Sequence, residues 1–165
     1  MIWILLICFL LMAAVITSYL PRIPAVLPAY AGMLVLYFSG FASFMLGADA
    51  LWFWGIASVL VLGLDYMLPR EVTRSSAGVP FIVTGAIAGM AVGIALSTVA
   101  SVIIATAAGA FFGAIAYANT RAGREIMTFP SRQFFNWFAA KALRAIVTLS
   151  ITGISLACLL FPSSL

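Results

Sequence analysis

Hydrophobic residues in this chain are gathered into long blocks, and the polar residues are confined to short clusters between them. Blocks of about 20 apolar residues, without the alternation of a half-buried strand, are the pattern of helices with apolar surroundings on every side. The first block runs from Ile2 to Leu20 and stops at Pro21. PRIPAVLP follows, with prolines at 21, 24 and 28. These interrupt a regular helix, because each lacks an amide donor and restricts the residue before it. A second block covers Ala29 to Leu46 and ends at Gly47. Asp49 then stands where an N-cap belongs and opens a third block, ALWFWGIASVLVLGL, with Trp52 and Trp54 as interfacial aromatics. That block closes at LDYMLPR, where Pro69, Arg70, Glu71 and Arg74 mark water.

The stretch from Gly78 to Asn119 supplies two further blocks in which small residues recur every four positions: Gly85, Gly89 and Gly93, then Ala105, Gly109 and Gly113. Folding it about Val99 sets 85 opposite 113, 89 opposite 109 and 93 opposite 105. The result is a glycine-zipper hairpin over 78–119 whose two backbones can approach closely, expected at the close-packed centre of the bundle. Ser97, Thr98 and Ser101 lie near the turn. Each arm has about 20 residues, which suits either a full crossing or a re-entrant pair. Next comes the long polar stretch TRAGREIMTFPSRQ, in which Ser131 after Pro130 predicts a helix start. Phe134, Phe135, Phe138 and Ala142 can share one side of that helix, with Gln133, Asn136 and Arg144 toward another. Residues 120–144 are therefore expected to be a loop carrying a short interfacial helix. A last block from Ala145 to Phe161 ends at Pro162.

Composition removes the soluble alternatives. With 65% hydrophobic residues, 7% charged residues and a mean hydropathy of +1.24, the chain has too little polar surface to cover a globular exterior. The predicted fold class is an all-α integral membrane protein, a single polytopic domain over 1–165 with about six apolar helical segments. The first block has no basic region before it and no small-x-small cleavage site, so it reads as a retained span. Cys8 and Cys158 sit alone in apolar runs and read as small buried hydrophobes.

A net charge of +4 would suggest nucleic acid in a soluble protein, but membrane orientation accounts for it here. Six crossings place Arg22, Arg70, Arg74, Arg121, Arg124, Arg132, Lys141 and Arg144, all eight basic residues, on one side. The other side receives Met1, Asp49, the 97–101 turn and the tail. The basic loops are thus expected in the cytoplasm and both termini on the outer, periplasmic side, with no nucleic-acid partner.

These ordered features resemble a family of small bacterial integral membrane proteins labelled domain of unknown function 456. The likeness rests on the proline turn LPRIPAVLP, the tripeptide Leu64, Asp65, Tyr66 closing the third block, and glycine-spaced paired helices after a short basic loop. It spans roughly residues 15 to 155. Where the family tends to have Pro-Gly-Pro, this chain has Pro24, Ala25 and a displaced Pro28. The resemblance implies the fold and a bacterial inner membrane, and brings no activity with it.

Candidate chemistry is sparse. Asp65 lies about one turn inside the boundary set by Pro69, and an acid at that depth either carries a proton or cation or pairs with Arg22, Arg70 or Arg74. Arg22, Arg70, Arg74, Arg121 and Arg124 could hold a lipid phosphate through their guanidinium forks. The stripes Gly85, Gly89, Gly93, Ala105, Gly109 and Gly113 serve internal helix packing, packing against another copy, or flexibility for gating. The chain has no histidine, metal-ligand cluster, phosphate loop or nucleophile with a base partner, so no metal, cofactor or enzymatic activity is expected. Two functions remain: a small transporter or channel-like protein acting as a homo-oligomer, or a non-transporting scaffold or accessory subunit that binds membrane lipids or a larger membrane complex.

Overall fold

The computed structural model describes residues 2–20, 23–40, 47–67, 77–126 and 128–161, apart from the side chain of residue 65, and all regular structure among them is helical. The helices are α1 (Ile2–Ser18), α2 (Val26–Phe38), α3 (Ala48–Met67), α4 (Val79–Ala95), α5 (Val99–Ala118), α6 (Arg121–Ile126) and α7 (Arg132–Leu160). Two of them, α5 with 20 residues and α7 with 29, are long and apolar enough to cross a membrane.

Several helix boundaries differ from the sequence expectation for identifiable reasons. α2 begins at Val26 rather than Ala29, because Pro28 falls in the first turn, where a missing amide costs no helical bond. It stops at Phe38, since Gly40 adopts φ +73° and only glycine takes that conformation cheaply. In α3 the Gly47 carbonyl accepts from the Leu51 amide, so Asp49 stands inside the first turn instead of capping it. Its carboxylate still faces the positive end of the helix dipole. Trp52 is exposed but Trp54 is buried. The two point to different sides of α3, since residues two apart on a helix are about 200° apart around the axis. Cys158 is buried as expected, whereas Cys8 lies on the outer face of α1.

The α4–α5 hairpin is held by direct backbone contact. A Cβ built on Gly85 would fall on the Gly109 carbonyl oxygen, one on Gly89 on the Ala105 carbonyl oxygen, and one on Gly113 on the Phe81 carbonyl oxygen. These approaches are centred on residue 97, not 99. The 85/113 and 89/109 pairs are near neighbours, with the added Cβ 3.1 Å and 3.2 Å from the opposing Cα, but Gly93 faces Val102 Cα at 2.6 Å and not Ala105. The turn sets this register. Ser97 takes φ +57°, Thr98 and Ser101 form a reciprocal capping box, and the Ser101 hydroxyl reaches back 2.9 Å to the Gly93 carbonyl oxygen.

The hairpin is not the centre of the bundle. α1, α2 and α3 pack in chain order, α4 and α5 pack on each other, and α7 touches all five. From Thr148 to Ser155 every residue of α7 is buried, while Val92, Ile104 and Phe112 of the hairpin point outward. Residue size explains the placement: Gly153 receives the side chains of Met90 and Val102, and a Cβ there would lie 2.7 Å from Met90 Cγ and 2.8 Å from Val102 Cγ1. Thr152 and Ser155 turn their hydroxyls onto the carbonyl oxygens of Thr148 and Ile151, at 2.9 Å and 2.8 Å, which hides two polar groups within the helix. The Thr148 and Ser150 hydroxyls have no such partner among the described residues.

The expected separate surface helix is also absent as such, because residues 132–160 form one helix. Ser131 does cap it, accepting from the Phe134 amide at 3.1 Å. No glycine or proline lies between that cap and Gly153, so nothing breaks the helix.

Leucine in place of Gly89, Gly109 or Gly153 is expected to lower stability by about 1–3 kcal/mol, because backbone or core atoms would have to separate. Ala88→Leu, on an exposed position of α4, should change it by no more than about 0.5 kcal/mol. Unfolding midpoints of the purified variants, followed by circular dichroism, check both.

Candidate functional site

Apart from Asp49 in the first turn of α3, the charged side chains with described positions lie at one end of the bundle, and α7 organises them. Phe134 is buried there within a cluster of rings: Phe129 at 4.9 Å between centroids, Phe111 and Phe138 at 6.2 Å each. This cluster anchors the first turns of α7 to the end of α5. The inward stripe is Phe134, Phe138 and Ala142, whereas Phe135, one residue round the helix, is exposed.

One turn further along, Trp137 stacks on Tyr117 of α5 with centroids 5.4 Å apart. Gly78 closes against both rings. It has φ +76°, and a Cβ there would stand 2.7 Å from Tyr117 Cδ1 and 2.8 Å from Trp137 Cη2, so conformation and space both require glycine. Lys141 lies 5.9 Å from the centre of the Trp137 ring and donates to the Ala77 carbonyl oxygen at 3.2 Å. Lys141 belongs to the part of α7 that precedes the unbroken buried stretch.

Arg144, three residues on, donates through Nη2 to the carbonyl oxygens of Leu20, at 2.9 Å, and of Ile23. Those carbonyls follow the end of α1 and belong to the proline-rich stretch LPRIPAVLP. One guanidinium therefore ties the α1–α2 connection to α7, and Lys141 ties the start of α4 to the same helix. Arg121 and Arg124 project, exposed, from the short α6. That helix folds tightly under α5: a Cβ on Gly123 would lie 2.9 Å from Ala118 Cα, and Thr120 accepts from the Gly123 amide at 3.1 Å.

The residues singled out from sequence distribute as follows. Gly85, Gly89, Gly93, Ala105, Gly109 and Gly113 lie along the facing sides of α4 and α5. Asp65 falls in the last turn of α3, with its side chain outside the described residues. Arg22, Arg70 and Arg74 also lie outside them. Arg121 and Arg124 are exposed on α6. Sequence reasoning missed Lys141, Arg144, Gly78 and Trp137 as a set. The two cations bind backbone carbonyls, which leave no mark in a sequence. Among the described residues no group of histidine, cysteine, aspartate or glutamate could hold a metal ion.

Comparison of the chain with protein-family models, with curated proteins and with solved structures gives no match.

Arg144→Gln should lower stability by about 1–2 kcal/mol, since a charged donor to two carbonyls is lost at a partly exposed site. It should also speed amide hydrogen exchange around residue 23. Arg121→Gln and Arg124→Gln should leave both readings within about 0.5 kcal/mol of the parent. Exchange mass spectrometry together with unfolding midpoints distinguishes the two sets.

Proposed function

We propose that this chain is an integral protein of the bacterial inner membrane and acts as a non-transporting scaffold or accessory subunit. The observation that carries the reading is the unbroken burial of α7 from Thr148 to Ser155, which fills the middle of a single copy with side chains. A substrate path needs a polar lining with room for water, and the polar groups in this region are hydroxyls, two of them bonded to their own helix.

Membrane residence is supported by the apolar faces turned outward. Ile2, Leu5, Phe9, Met12 and Ile16 form one such face on α1, and Trp52, Phe53, Ile56, Val59 and Leu60 another on α3. Contiguous apolar surface on this scale belongs against lipid or a partner. In this reading the end that gathers Arg121, Arg124, Arg132, Lys141 and Arg144 faces the cytoplasm, both termini face the periplasm, and α1 to α5 with α7 are the apolar segments of the bundle. The likeness to domain of unknown function 456, through Leu64, Asp65 and Tyr66 and the paired glycine helices, belongs to the same proposal. So does assembly with further copies or with a larger membrane complex.

The second reading, a small oligomeric transporter, has one feature in its favour: an acid, Asp65, in the last turn of a helix with so apolar an outer face. In that case the path would run between copies.

Reconstitution separates the two. Vesicles containing the protein and a trapped pH dye are expected to dissipate proton and potassium gradients no faster than protein-free vesicles. A protein-dependent flux that Asp65→Asn abolishes at equal protein content would overturn the scaffold reading in favour of transport.

A further inference from the structure

Where the last turns of α3 run beside the first half of α7, the two helices leave a groove of about 410 Å³. It is lined by Val61 and Leu64 from α3 and Ala139, Ala140 and Leu143 from α7, so hydrocarbon dominates. A volume of this order is in the range of sites that hold a small organic molecule. Asn136 and Arg144 supply the polar atoms of the lining. The Arg144 guanidinium is turned to the Leu20 and Ile23 carbonyls, which anchors that wall in place.

The other end of the groove has a different character. One helical turn before Asn136, on the same side of α7, stands the exposed Arg132. It occupies the first turn of its helix, where the free amide groups add to the positive potential of the guanidinium. From Leu143 back to Arg132 the groove face therefore presents an aliphatic wall, then a carboxamide, then a cation, over about 16 Å of helix axis. A phospholipid has its parts in this order: acyl chain, ester linkage, phosphate. The sign of the headgroup follows from its surroundings. Arg121, Arg124 and Lys141 share this end with Arg132, against Glu125 alone among the carboxylates with described side chains there.

We infer that the α3–α7 groove is a binding site for one anionic diacyl phospholipid, with an acyl chain along Val61, Leu64 and Leu143 and the phosphate at Arg132. This rests on the membrane reading above and assigns that reading a specific ligand class and position. The site also gives α3 a reason to stand partly clear of α7: a lipid tail fills the space that larger side chains would otherwise take.

The test uses the purified full-length chain, stripped of lipid and titrated under native mass spectrometry with dioleoyl phosphatidylglycerol and, separately, dioleoyl phosphatidylcholine. The parent is expected to retain the first at least about fivefold better than the second. Ala140→Trp, which fills the groove, should lose most of the retained phosphatidylglycerol. Arg132→Gln should lower it to the phosphatidylcholine level while leaving phosphatidylcholine unchanged. Circular dichroism reports whether each variant is folded; Arg132 is exposed, so Arg132→Gln decides the matter alone if Ala140→Trp is not. Equal retention of the two lipids by the parent, or unchanged phosphatidylglycerol retention in a folded variant, overturns the inference. Vesicle flotation is run alongside. A parent that floats, with variants that bind like it, sinks the groove alone; a parent that does not float sinks the membrane reading as well.

Discussion

Between Thr148 and Ser155 the last helix has neighbours on every side, and a helix so placed must be slender and must hide its own polar atoms. Gly153 gives it the slenderness, admitting Met90 and Val102 of the hairpin onto its backbone. The back-bonded hydroxyls of Thr152 and Ser155 conceal part of its polarity. The remaining arrangement follows from this one placement. The α1–α3 group and the α4–α5 hairpin each pack well within themselves, and both lean on α7. The same helix, continued without a break to Ser131, carries the ring cluster, Lys141 and Arg144 that gather the connecting segments at one end.

The hairpin illustrates a different kind of constraint. Its glycines let two helix backbones come into contact, but several registers would bring glycine near glycine, and periodicity alone does not choose among them. The choice is made at the turn, where Ser97 accepts a positive φ and the Ser101 hydroxyl reaches the Gly93 carbonyl oxygen. That bond draws Ser101 and Val102 opposite Gly93 and moves the centre of the hairpin by two residues. Local turn chemistry thus decides the register of 35 or so residues beyond it, a distance over which side-chain packing is permissive because the facing side chains are so small.

How much of this could be read from the chain depends on what kind of information each feature carries. Among the described residues the helical character of the apolar blocks was legible, because long apolar runs punctuated by proline and glycine have few other solutions. Helix ends were less so: Pro28 reads as a breaker but is harmless in a first turn, and Gly40 inside an apolar block gives little warning of its φ of +73°. That Trp52 faces outward and Trp54 inward follows from simple helical geometry. The continuity of α7 was legible in principle, since its first 20 residues contain neither glycine nor proline, but the change from polar to apolar composition near Arg144 invited a boundary. Candidate site residues were the hardest. The sequence draws attention to ionisable groups such as Asp65 and Arg121, whereas the structural work falls to Arg144 and Lys141, whose partners are main-chain carbonyls of distant segments.

The account turns on α7 being enclosed by protein in a single copy, with no water reaching its middle. The most direct measurement is cysteine accessibility in native membranes. Single substitutions Thr148→Cys, Ser150→Cys, Thr152→Cys and Ser155→Cys would be made in a chain whose Cys8 and Cys158 have been replaced, then exposed to a small cationic thiol reagent before and after denaturation. The account predicts that all four stay unmodified until the protein is denatured. Rapid labelling of Thr148→Cys, Thr152→Cys and Ser155→Cys, which lie along one side of the helix, would mean a water-filled path beside α7 and would contradict it.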